Sequence, residues 1–463
     1  MVVAAEASPY AKVGGLGDVA GALPIALAAL GHEIRLVMPR GQGVMPNRGA
    51  RVAWRDRVRW GTGTEDVCLL AEPFPGHPAI QVRLVDAAPL AASPLYGGPD
   101  EADRYMLLAD AALADLHHER WVPDVVHAQD WHASPVVLRI AQLRDRDPVY
   151  AHTKTVLTVH NMAYQGTREA GFAPWHGLPS VPAPGDPDMF SVNLLGRALA
   201  AADRVTAVSP TFAWEITTPE GGFGLDGVLA ARGDAVAGIV NGIDVTAFDP
   251  STDTRIPATF TAATIAARAA NRDALAAEMG IDVAADTPIV GVVSRLVEQK
   301  GLDLLLEAAP AILDDGGRIA LLGSGEAWLE DAFVDLAMAN PGMVAVRVGF
   351  DAALAQRIYA GCDAFAMPSR FEPCGLGQLI AMRYGAVPLV RRTGGLADTV
   401  SAQNGFLFDD PTPQALAAAF EELATAFRDP AAWRTLQLAG MAYDSSWDAS
   451  ARAYSDLFAE LAG

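Results

Sequence analysis

Two stretches of the chain place charged side chains where they could hold a phosphate group and stabilise a reacting centre. Residues 294–301 read SRLVEQKG and put Arg295 and Lys300 five positions apart. Arginine can bind a phosphate through two parallel hydrogen bonds, whereas lysine offers a compact point charge. In residues 368–378, PSRFEPCGLGQ, Glu372 stands directly before a predicted helix whose first turn is CGLG. Small residues there would let a phosphate reach free backbone N–H groups, while Glu372 could face a developing positive charge.

Each stretch also has a simpler interpretation. Charged residues are usually solvated, so Arg295 and Lys300 could belong to an exposed basic loop. Glu372 could do no more than cap a helix, because acidic residues are common at helix N-termini. Residues 391–396, RRTGGL, add two cations and a glycine pair after another predicted strand. The functional interpretation therefore requires a fold that gathers these loops.

Residues 6–20, EASPYAKVGGLGDVA, contain a glycine-rich loop that fits the dinucleotide fingerprint G-x-G-x-x-A. The loop follows a predicted strand at residues 2–5 and opens a predicted helix at residues 18–30. The fingerprint is typical of enzymes that hold a nicotinamide pyrophosphate, and a second strand followed by Arg40 keeps an NADP-dependent oxidoreductase as an alternative. Lys12, just before the glycines, raises the alternative that the loop has a different role.

Two more predicted strands end in histidine and aromatic residues, HAQDWH at 127–132 and HNMAYQG at 160–166. A single His or Trp is more often packed than functional, but two such clusters at successive strand ends favour a ligand. Aromatic rings beside polar groups suit a sugar, whose faces are apolar and whose edges are polar. His127 and His132 flank Asp130, yet no thiolate or HExxH pattern supports a zinc site.

Short apolar strands alternate with helices along most of the chain and must position these loops. Strands are predicted at residues 34–38, 124–127, 155–159, 205–208, 289–293, 319–322, 344–348, 364–367 and 387–390. Such short β-branched runs are typical of parallel strands that are buried on both faces. Helices are predicted at residues 302–313, 327–339 and 447–461. The alternation predicts two α/β domains with doubly wound parallel sheets and a boundary near residues 241–260.

Residues 51–60, 67–73 and 80–85 have the alternating pattern of antiparallel strands. They interrupt the strand–helix alternation of the first half. We therefore predict that they form an excursion on the first domain.

The composition limits the classes of partner. The 463 residues are 51% hydrophobic and 19% charged, so large cores are expected and disorder is not. The formal net charge of −21 argues against nucleic acid or an anionic membrane as the main partner, although a local basic pocket can still bind an anion. Three widely spaced cysteines favour a reducing, cytoplasmic compartment. No apolar run predicts a membrane span, and no transit peptide is expected.

Together these motifs resemble the bacterial glycogen synthases, the ADP-glucose-dependent family related to plant starch synthases. The matching segments are KVGGLGDV at 12–19, DWH at 130–132, TVHN at 158–161, YQG at 164–166, NGID at 241–244, SRL at 294–296, QKG at 299–301, SRFEPCGL at 369–376 and RRTGGLADTV at 391–400. The combination of the lysine–glycine loop and the EPCGL loop is highly specific. The resemblance implies a GT-B fold, in which two Rossmann-like domains, here 1–245 and 246–445, face each other across a deep cleft. A C-terminal helix, 446–463, would return to the first domain.

The resemblance also implies a retaining glycosyltransferase that moves glucose from ADP-glucose to the non-reducing end of an α-1,4-glucan. The implied catalytic residues are Glu372, His160, Lys300 and Arg295. The implied substrate-binding residues are Lys12, Gly14, Gly15, Asp18, Asp130, Asn161, Asn241, Cys374, Gly375, Leu376, Thr393 and Gly394. The residues themselves do not select the nucleotide, so a GT-B enzyme that uses UDP-glucose is the alternative, and the oxidoreductase is a remote one.

In this family the glycine loop serves the sugar site, with Lys12 directed at the donor phosphate, His160 at sugar hydroxyls and Asp130 at the acceptor. Two positions depart from the family pattern. Gly377 stands where a threonine hydroxyl often binds donor phosphate, and Ile380 stands where the wider superfamily often carries a second Glu. Neither a cofactor nor a metal is expected, because fixed cations would neutralise the leaving group.

Overall fold

The computed structural model describes residues 1–463. The chain forms two compact units, residues 1–241 with 447–463 and residues 242–446. The predicted domain limits, residues 245 and 445, differ from these bounds by a few residues. No helix combines the length and the apolar character needed to cross a bilayer.

The first unit is built on a nine-stranded sheet, with a separate two-stranded sheet formed by β8 and β9. Its strands are β1 (Val2–Val3), β2 (Arg35–Pro39), β3 (Arg51–Trp60), β4 (Gly63–Phe74), β5 (His77–Asp86), β6 (Val125–Gln129), β7 (Lys154–Val159), β8 (Thr167–Glu169), β9 (Ser191–Asn193), β10 (Arg204–Ala207) and β11 (Val236–Gly238). The order in the large sheet is β11-β10-β7-β6-β1-β2-β5-β4-β3. Neighbours from β11 to β5 are parallel, and the last two pairs are antiparallel.

The helices of the first unit connect these strands. They are α1 (Gly15–Ala29), α2 (Ala88–Ala91), α3 (Glu101–Glu119), α4 (Asp130–Leu143), α5 (Phe172–Trp175), α6 (Leu194–Ala201), α7 (Pro210–Glu215) and α8 (Asp226–Arg232), followed by a short 3₁₀ turn, Gly233–Ala235. Helix α1 begins at Gly15, three residues before the predicted start. The reason is long-range, because the carboxylate of Glu6 accepts the N–H of Gly17 in the first turn.

The predicted antiparallel excursion is part of the main sheet. Strand β5 pairs in parallel with β2 and antiparallel with β4, so three strands extend the sheet instead of forming a separate layer. Strand β3 then forms an edge of the sheet, and most of its side chains are exposed, with only Trp54 and Val58 buried. The alternating pattern correctly indicated antiparallel pairing but contained no information about which strand would be the neighbour.

The second unit contains one six-stranded parallel sheet in the order β14-β13-β12-β15-β16-β17. Its strands are β12 (Ile289–Leu296), β13 (Arg318–Gly325), β14 (Val344–Val348), β15 (Ala364–Met367), β16 (Val387–Arg391) and β17 (Phe406–Phe408). The helices are α9 (Arg268–Met279), α10 (Leu302–Asp314), α11 (Ala327–Ala339), α12 (Ala352–Gly361), α13 (Gly377–Arg383), α14 (Gly394–Thr399), α15 (Pro413–Phe427) and α16 (Pro430–Ala442), with 3₁₀ turns at Ala262–Ala267 and Glu298–Lys300.

Both faces of this sheet are covered, which explains the continuous apolar runs. Along β13, Ile319 and Leu321 belong to one hydrophobic cluster, while Ala320 and Leu322 belong to the cluster on the opposite face. Because successive side chains of a strand point to opposite faces, a doubly covered strand needs apolar residues at every position.

The last helix, α17 (Trp447–Ala462), belongs to the first unit. It presents Trp447, Ala451 and Tyr454 at helical spacing to the cluster that surrounds β1 and α1. The hydroxyl of Ser450 adds a hydrogen bond to the carbonyl of Val240.

Both units share the Rossmann strand order, 3-2-1-4-5-6. In the first unit this series is β5-β2-β1-β6-β7-β10, and in the second it is β14-β13-β12-β15-β16-β17. The order reverses between β1 and β6 and between β12 and β15. Loops at the carboxyl ends of the strands around such a reversal form the ligand site of doubly wound sheets, and the predicted functional loops follow these strands.

Candidate active site

In the second unit, Lys300 and Glu372 lie in direct contact. The ammonium group of Lys300 donates to Glu372 Oε2 at 2.6 Å, and the hydroxyl of Ser369 donates to the same oxygen at 2.9 Å. The Glu372 carboxylate is buried and the Lys300 side chain is partly exposed. Glu372 is therefore not a simple helix cap, because its charge is fixed by partners from two loops.

Backbone packing holds the two loops together. Gly301 has φ +62°, and a Cβ there would lie 2.0 Å from the carbonyl oxygen of Pro368. The N–H of Arg370 donates to the carbonyl of Gln299 at 2.9 Å. A side chain at position 301 would push the loops apart, so the glycine that follows Lys300 is needed for the contact with Glu372.

The loop after β16 approaches the same place from the other side. Gly394 has φ +43°, and a Cβ there would lie 2.0 Å from the carbonyl oxygen of Glu372, while the N–H of Gly395 donates to that oxygen at 3.1 Å. Thr393 is buried beside this turn, and Cys374 is buried opposite Gly395. The glycine pair of the RRTGGL segment thus supports the backbone of Glu372.

The arginines of these loops divide into bound and free ones. Arg370 forms a two-pronged ion pair with Asp303, Arg392 pairs with Asp409, and Arg391 donates to backbone carbonyls that include Ser369. The side chain of Arg295, near the end of β12, is exposed and makes no hydrogen bond or ion pair within the protein. Of the predicted phosphate-binding arginines, Arg295 alone can bind a ligand without first breaking an internal contact.

The predicted helix start at Cys374 was wrong. Helix α13 begins at Gly377, so Cys374, Gly375 and Leu376 precede it as a loop. The side-chain amide of Gln378 donates back to the carbonyls of Cys374 and Gly375 and stabilises that loop in a non-helical form.

The two departures from the family pattern both lie in packed surroundings. A Cβ at position 377 would approach the Phe365 ring at 3.0 Å, so a threonine there would require that ring to move. Ile380 is buried in the hydrophobic core. The second glutamate that the wider superfamily often carries is therefore absent at this position.

Phe350 is a candidate that the sequence analysis missed. Its side chain is 93% exposed at the carboxyl end of β14, which is unusual for a large aromatic residue. The strand register aligns Ser294 with Gly323 and Gly323 with Val348. Phe350 and Arg295 therefore lie two strands apart, both at the carboxyl ends of their strands. That separation is about 10 Å, similar to the reach from a nucleobase to its diphosphate. The signal in the sequence was an aromatic residue directly after a strand and a glycine.

In the first unit, backbone N–H groups of the glycine loop already bind a carboxylate of the protein itself. The buried carboxylate of Glu6 accepts the N–H groups of Val13, Gly14 at 3.1 Å and Gly17 at 3.2 Å. These amides are the ones that a dinucleotide enzyme would offer to a pyrophosphate. Arg40, the candidate for an NADP phosphate, pairs with Asp86 at 2.7 Å. Both observations argue against the oxidoreductase alternative.

Lys12 and Asp18, both predicted to bind substrate, are bound to each other. Lys12 Nζ lies 2.7 Å from Asp18 Oδ1, and the Lys12 side chain is 55% exposed. Gly15, at the start of α1, has open space beside its Cα. Lys12 is thus a solvent-accessible cation held over a loop whose own amides are occupied by Glu6.

Asp130 and His160 also lie together, at the ends of β6 and β7. The Asp130 carboxylate accepts the N–H of His160 at 3.2 Å and further backbone bonds from Asn161 and Trp131. Burial raises the Asp130 pKa to about 7, and these hydrogen bonds offset only part of that effect. Burial also lowers the His160 pKa to about 3, so its imidazole is neutral at pH 7.

Two predicted substrate-binding asparagines have different surroundings. Asn161 accepts the N–H of Ala163 in a local turn next to His160. Asn241 is buried, and its Oδ1 has no partner. No cluster of three or more His, Cys, Asp or Glu side chains has an arrangement that could hold a metal ion.

Replacing Asp130 by asparagine should make the protein relatively more stable as the pH rises. A free aspartate ionises near pH 4, so between about pH 4 and pH 7 the folded chain holds this proton more tightly than the unfolded chain. The stabilisation is complete at acid pH and is lost as the pH rises through about 7. We expect the difference in Tm between Asp130→Asn and wild type to grow by roughly 2–6 °C from pH 5 to pH 8.5.

Asp203→Asn is a control variant whose stability should depend on pH in the opposite direction. Burial opposes ionisation of Asp203, but hydrogen bonds from Arg144 and Thr155 outweigh it and lower the pKa. Its stabilisation is present at neutral pH and is lost at acid pH, so this variant should approach wild type as the pH falls. A Tm difference for Asp130→Asn that does not change with pH would contradict the role assigned to burial.

Comparison with known proteins agrees with this architecture. Residues 1–231 match the family described as "Starch synthase catalytic domain", and residues 287–426 match "Glycosyl transferases group 1". A solved structure, the catalytic domain of starch synthase IV from Arabidopsis thaliana bound to ADP and acarbose, superposes with a TM-score of 0.89 at 31% identity, covering 100% of this chain and 98% of that one. Sucrose-phosphate synthase from Thermosynechococcus elongatus shares the fold, with a TM-score of 0.63 and 20% identity. The predicted α/β GT-B class is confirmed.

Curated relatives match over the full length. Glycogen synthase of Anaeromyxobacter dehalogenans is 43% identical and aligns over 100% of this chain and 99% of its own. The glycogen synthases of Moorella thermoacetica and Gloeobacter violaceus are each 40% identical, with coverage of 96% and 98% of their own lengths. With this identity over the whole length, and with the lysine, arginine and glutamate loops in place on a GT-B scaffold, the chain belongs to the family of bacterial glycogen synthases, enzymes of glucosyl transfer in glycogen synthesis.

Proposed function

We propose that the enzyme transfers glucose from ADP-glucose to the 4-hydroxyl at the non-reducing end of an α-1,4-glucan, with retention of anomeric configuration. The observation that carries the proposal is the contact of the partly exposed Lys300 with the buried Glu372, together with the exposed Arg295 side chain five residues before Lys300, at the carboxyl ends of the second unit's strands. This arrangement offers positive charge for a leaving diphosphate and negative charge for a sugar cation. The starch synthase IV structure, which was solved with ADP and acarbose, supports the choice of ligands.

The leaving nucleotide gains negative charge as the glycosidic bond breaks. Arg295 and Lys300 are the cations that would stabilise it, with Lys12 as a third, because each can point a charged donor at a phosphate oxygen. These cations would neutralise the charge on the leaving diphosphate, as a metal ion does in other sugar-nucleotide enzymes. We therefore propose that transfer requires neither a metal nor a cofactor.

The anomeric carbon gains oxocarbenium character at the same time. Glu372 is the anion proposed to stabilise or orient the sugar, and the neutral imidazole of His160 is proposed to bind a sugar hydroxyl. Asp130 is a poor candidate for a covalent nucleophile, because its carboxylate accepts backbone N–H groups of the β7 loop. We therefore favour substitution on the same face of the sugar, assisted by the leaving phosphate, with Asp130 positioning the acceptor side.

The remaining substrate contacts are proposed for groups near these centres. Donor contacts are assigned to the loop of Cys374, Gly375 and Leu376 and to Thr393 and Gly394. Sugar and glucan contacts are assigned to Gly14, Gly15, Asp18, Asn161 and Asn241. We also propose a cytoplasmic location, which is supported by three cysteines that form no disulfide.

Product analysis tests the proposed function. The purified enzyme is incubated with a glycogen primer and either ADP-glucose or UDP-glucose, each carrying labelled glucose. We expect label in chains that an exo-acting α-1,4-specific amylase releases, with ADP-glucose the preferred donor. Preference for UDP-glucose would establish the alternative GT-B enzyme, and β-linked product would contradict retention.

Phe350 should contribute to donor binding as a stacking platform for the nucleobase. Base–aromatic stacking contributes about 1–3 kcal/mol, so Phe350→Ala should raise the donor KM by roughly 5- to 150-fold. The KM for glycogen should stay the same, since the residue is proposed to contact only the nucleobase of the donor. Steady-state kinetics measure both constants.

Phe350→Tyr keeps the aromatic face and should behave like wild type. Met338→Ala removes another exposed apolar side chain, at the far end of α11, and should have no effect. An unchanged donor KM in Phe350→Ala would remove this residue from the site.

A further inference from the structure

A buried row of hydrogen bonds lies behind His160 in the first unit. His160 Nε2 lies 2.7 Å from Gln129 Oε1, and Gln129 Nε2 lies 3.0 Å from His127 Nε2. The same nitrogen of His127 lies 2.6 Å from the hydroxyl of Thr158, which lies 2.6 Å from the hydroxyl of Thr206. Gln129, His127, Thr158 and Thr206 are all buried, so water does not compete for these bonds.

These contacts determine where the protons lie. The carbonyl oxygen of Gln129 only accepts, so His160 must carry its proton on Nε2. The amide nitrogen of Gln129 only donates, so His127 Nε2 must be the acceptor. Thr158 then donates to His127 and accepts from Thr206. The proton of His127 lies on Nδ1, which is buried without a partner.

The tautomer of His160 depends on how the Gln129 amide is turned. With Oε1 towards His160, as the structure places it, the His160 proton lies on Nε2. A reversed amide would put that proton on Nδ1, and the two tautomers differ in their ring-nitrogen NMR signals.

We propose that Gln129 is a positioning residue that fixes His160 in the Nε2–H tautomer and leaves its Nδ1 as an acceptor for a sugar hydroxyl. The identity of the sugar rests on the proposed function. Nδ1 of His160 makes no hydrogen bond within the protein and is not among the buried unpartnered atoms, so a ligand can reach it. An acceptor nitrogen binds a hydroxyl, and it does not bind a fluorine or an ether oxygen at the same position.

The surroundings keep this imidazole uncharged. Burial lowers the pKa of both His160 and His127 to about 3. The ionisable groups that face His160 are His127, across the Gln129 amide, and Asp130, whose carboxyl accepts the His160 backbone N–H. At neutral pH the tautomer, and not the charge, then decides what His160 can bind.

Nitrogen NMR of the free protein tests the tautomer directly. The chain contains nine histidines, so labelling their ring nitrogens gives a small set of signals, and His160→Gln identifies the pair from His160. We expect a protonated Nε2 and an unprotonated Nδ1 that do not titrate between pH 5 and pH 8. An Nδ1–H tautomer, or a His160 that titrates near its ordinary pKa, would overturn the proposal.

Two substitutions test the role of Gln129. Gln129→Leu should change the His160 nitrogen signals and lower donor kcat/KM by about 3- to 15-fold, the effect of losing one oriented hydrogen bond. Gln129→Glu preserves the shape but puts a carboxylate beside His160, which should raise its pKa and make donor kcat/KM fall at acid pH. If Gln129→Leu does not fold, the isosteric Gln129→Glu variant still gives a result.

Gln81→Leu is the matched control. Gln81 lies in β5 outside this row, and its side chain donates to the carbonyl of Pro78. It should leave the His160 signals and the kinetics unchanged. Unaltered His160 signals in Gln129→Leu would show that Gln129 is only a packing residue. The NMR result is read from the free protein, so it stands apart from a failure to make glucan, which would overturn the proposed function.

A deoxyfluoro donor series completes the test. Replacing one sugar hydroxyl at a time by fluorine should identify a single position where wild type discriminates most strongly. That discrimination should shrink in Gln129→Leu, because Nδ1 is then no longer held as an acceptor. Equal discrimination in the two proteins would contradict the proposal.

Discussion

Glu372→Gln is expected to lower kcat by at least about 100-fold while ADP continues to bind. The buried carboxylate is held by Lys300 at 2.6 Å and by Ser369 at 2.9 Å, so glutamine can occupy the same space without the charge. The loss should appear in kcat because the charge is needed when the sugar becomes cationic. Steady-state rates and ADP titration by calorimetry measure the two quantities separately.

Glu298→Gln is the matched control, because Glu298 is an exposed carboxylate on the adjoining loop. It should retain wild-type kcat. The Tm of Glu372→Gln should also be followed, since Lys300 loses a charged partner in that variant. A Glu372→Gln enzyme with more than a tenth of wild-type kcat would show that Glu372 serves mainly to hold Lys300 in place.

Lys12→Gln should lower donor kcat/KM by about 10- to 150-fold, which corresponds to the loss of one charge-assisted hydrogen bond worth roughly 1.5–3 kcal/mol. The KM for glycogen should change little. Folding should be unaffected, because Lys12 is more than half exposed and its ion pair with Asp18 is solvated. Kinetics with each substrate varied in turn provide the measurement.

Lys154→Gln makes the same substitution at the amino end of β7, the opposite edge of the sheet. This variant should leave donor kcat/KM and the KM for glycogen unchanged. If Lys12→Gln stays within about twofold of wild type, a difference under 0.5 kcal/mol, Lys12 is a bystander whose partner is Asp18 alone.

The second unit could be predicted closely, because its strands and helices carry strong local signals. The predicted helix at residues 327–339 coincides with α11, and five of its six strands were placed within a few residues. Strands β11 and β17 have three residues each, too few for a periodic pattern, and both were missed. Each pairs in parallel with the preceding strand of its sheet, β10 or β16, so contacts across the sheet rather than local propensity create them.

The candidate site was predictable by residue type more than by contact. The sequence placed Arg295, Lys300 and Glu372 at strand ends. It placed Arg391 and Arg392 at a strand end as well, but in the structure Arg391 donates to backbone carbonyls and Arg392 pairs with Asp409. Glu6 was overlooked because no local pattern shows that a carboxylate folds back onto amides seven to eleven residues later. Such contacts depend on loop geometry, which short-range patterns do not encode.

Strand β3 has a consequence for how the molecule behaves in a crowded solution. It is an edge of the nine-stranded sheet, and an exposed edge invites a strand from a second molecule to pair with it. Five of its ten residues are charged, Arg51, Arg55, Asp56, Arg57 and Arg59. A second copy that paired edge to edge would set arginines against arginines and would have to desolvate them. The edge therefore resists polymerisation into extended sheets and helps to keep copies separate at high local concentration.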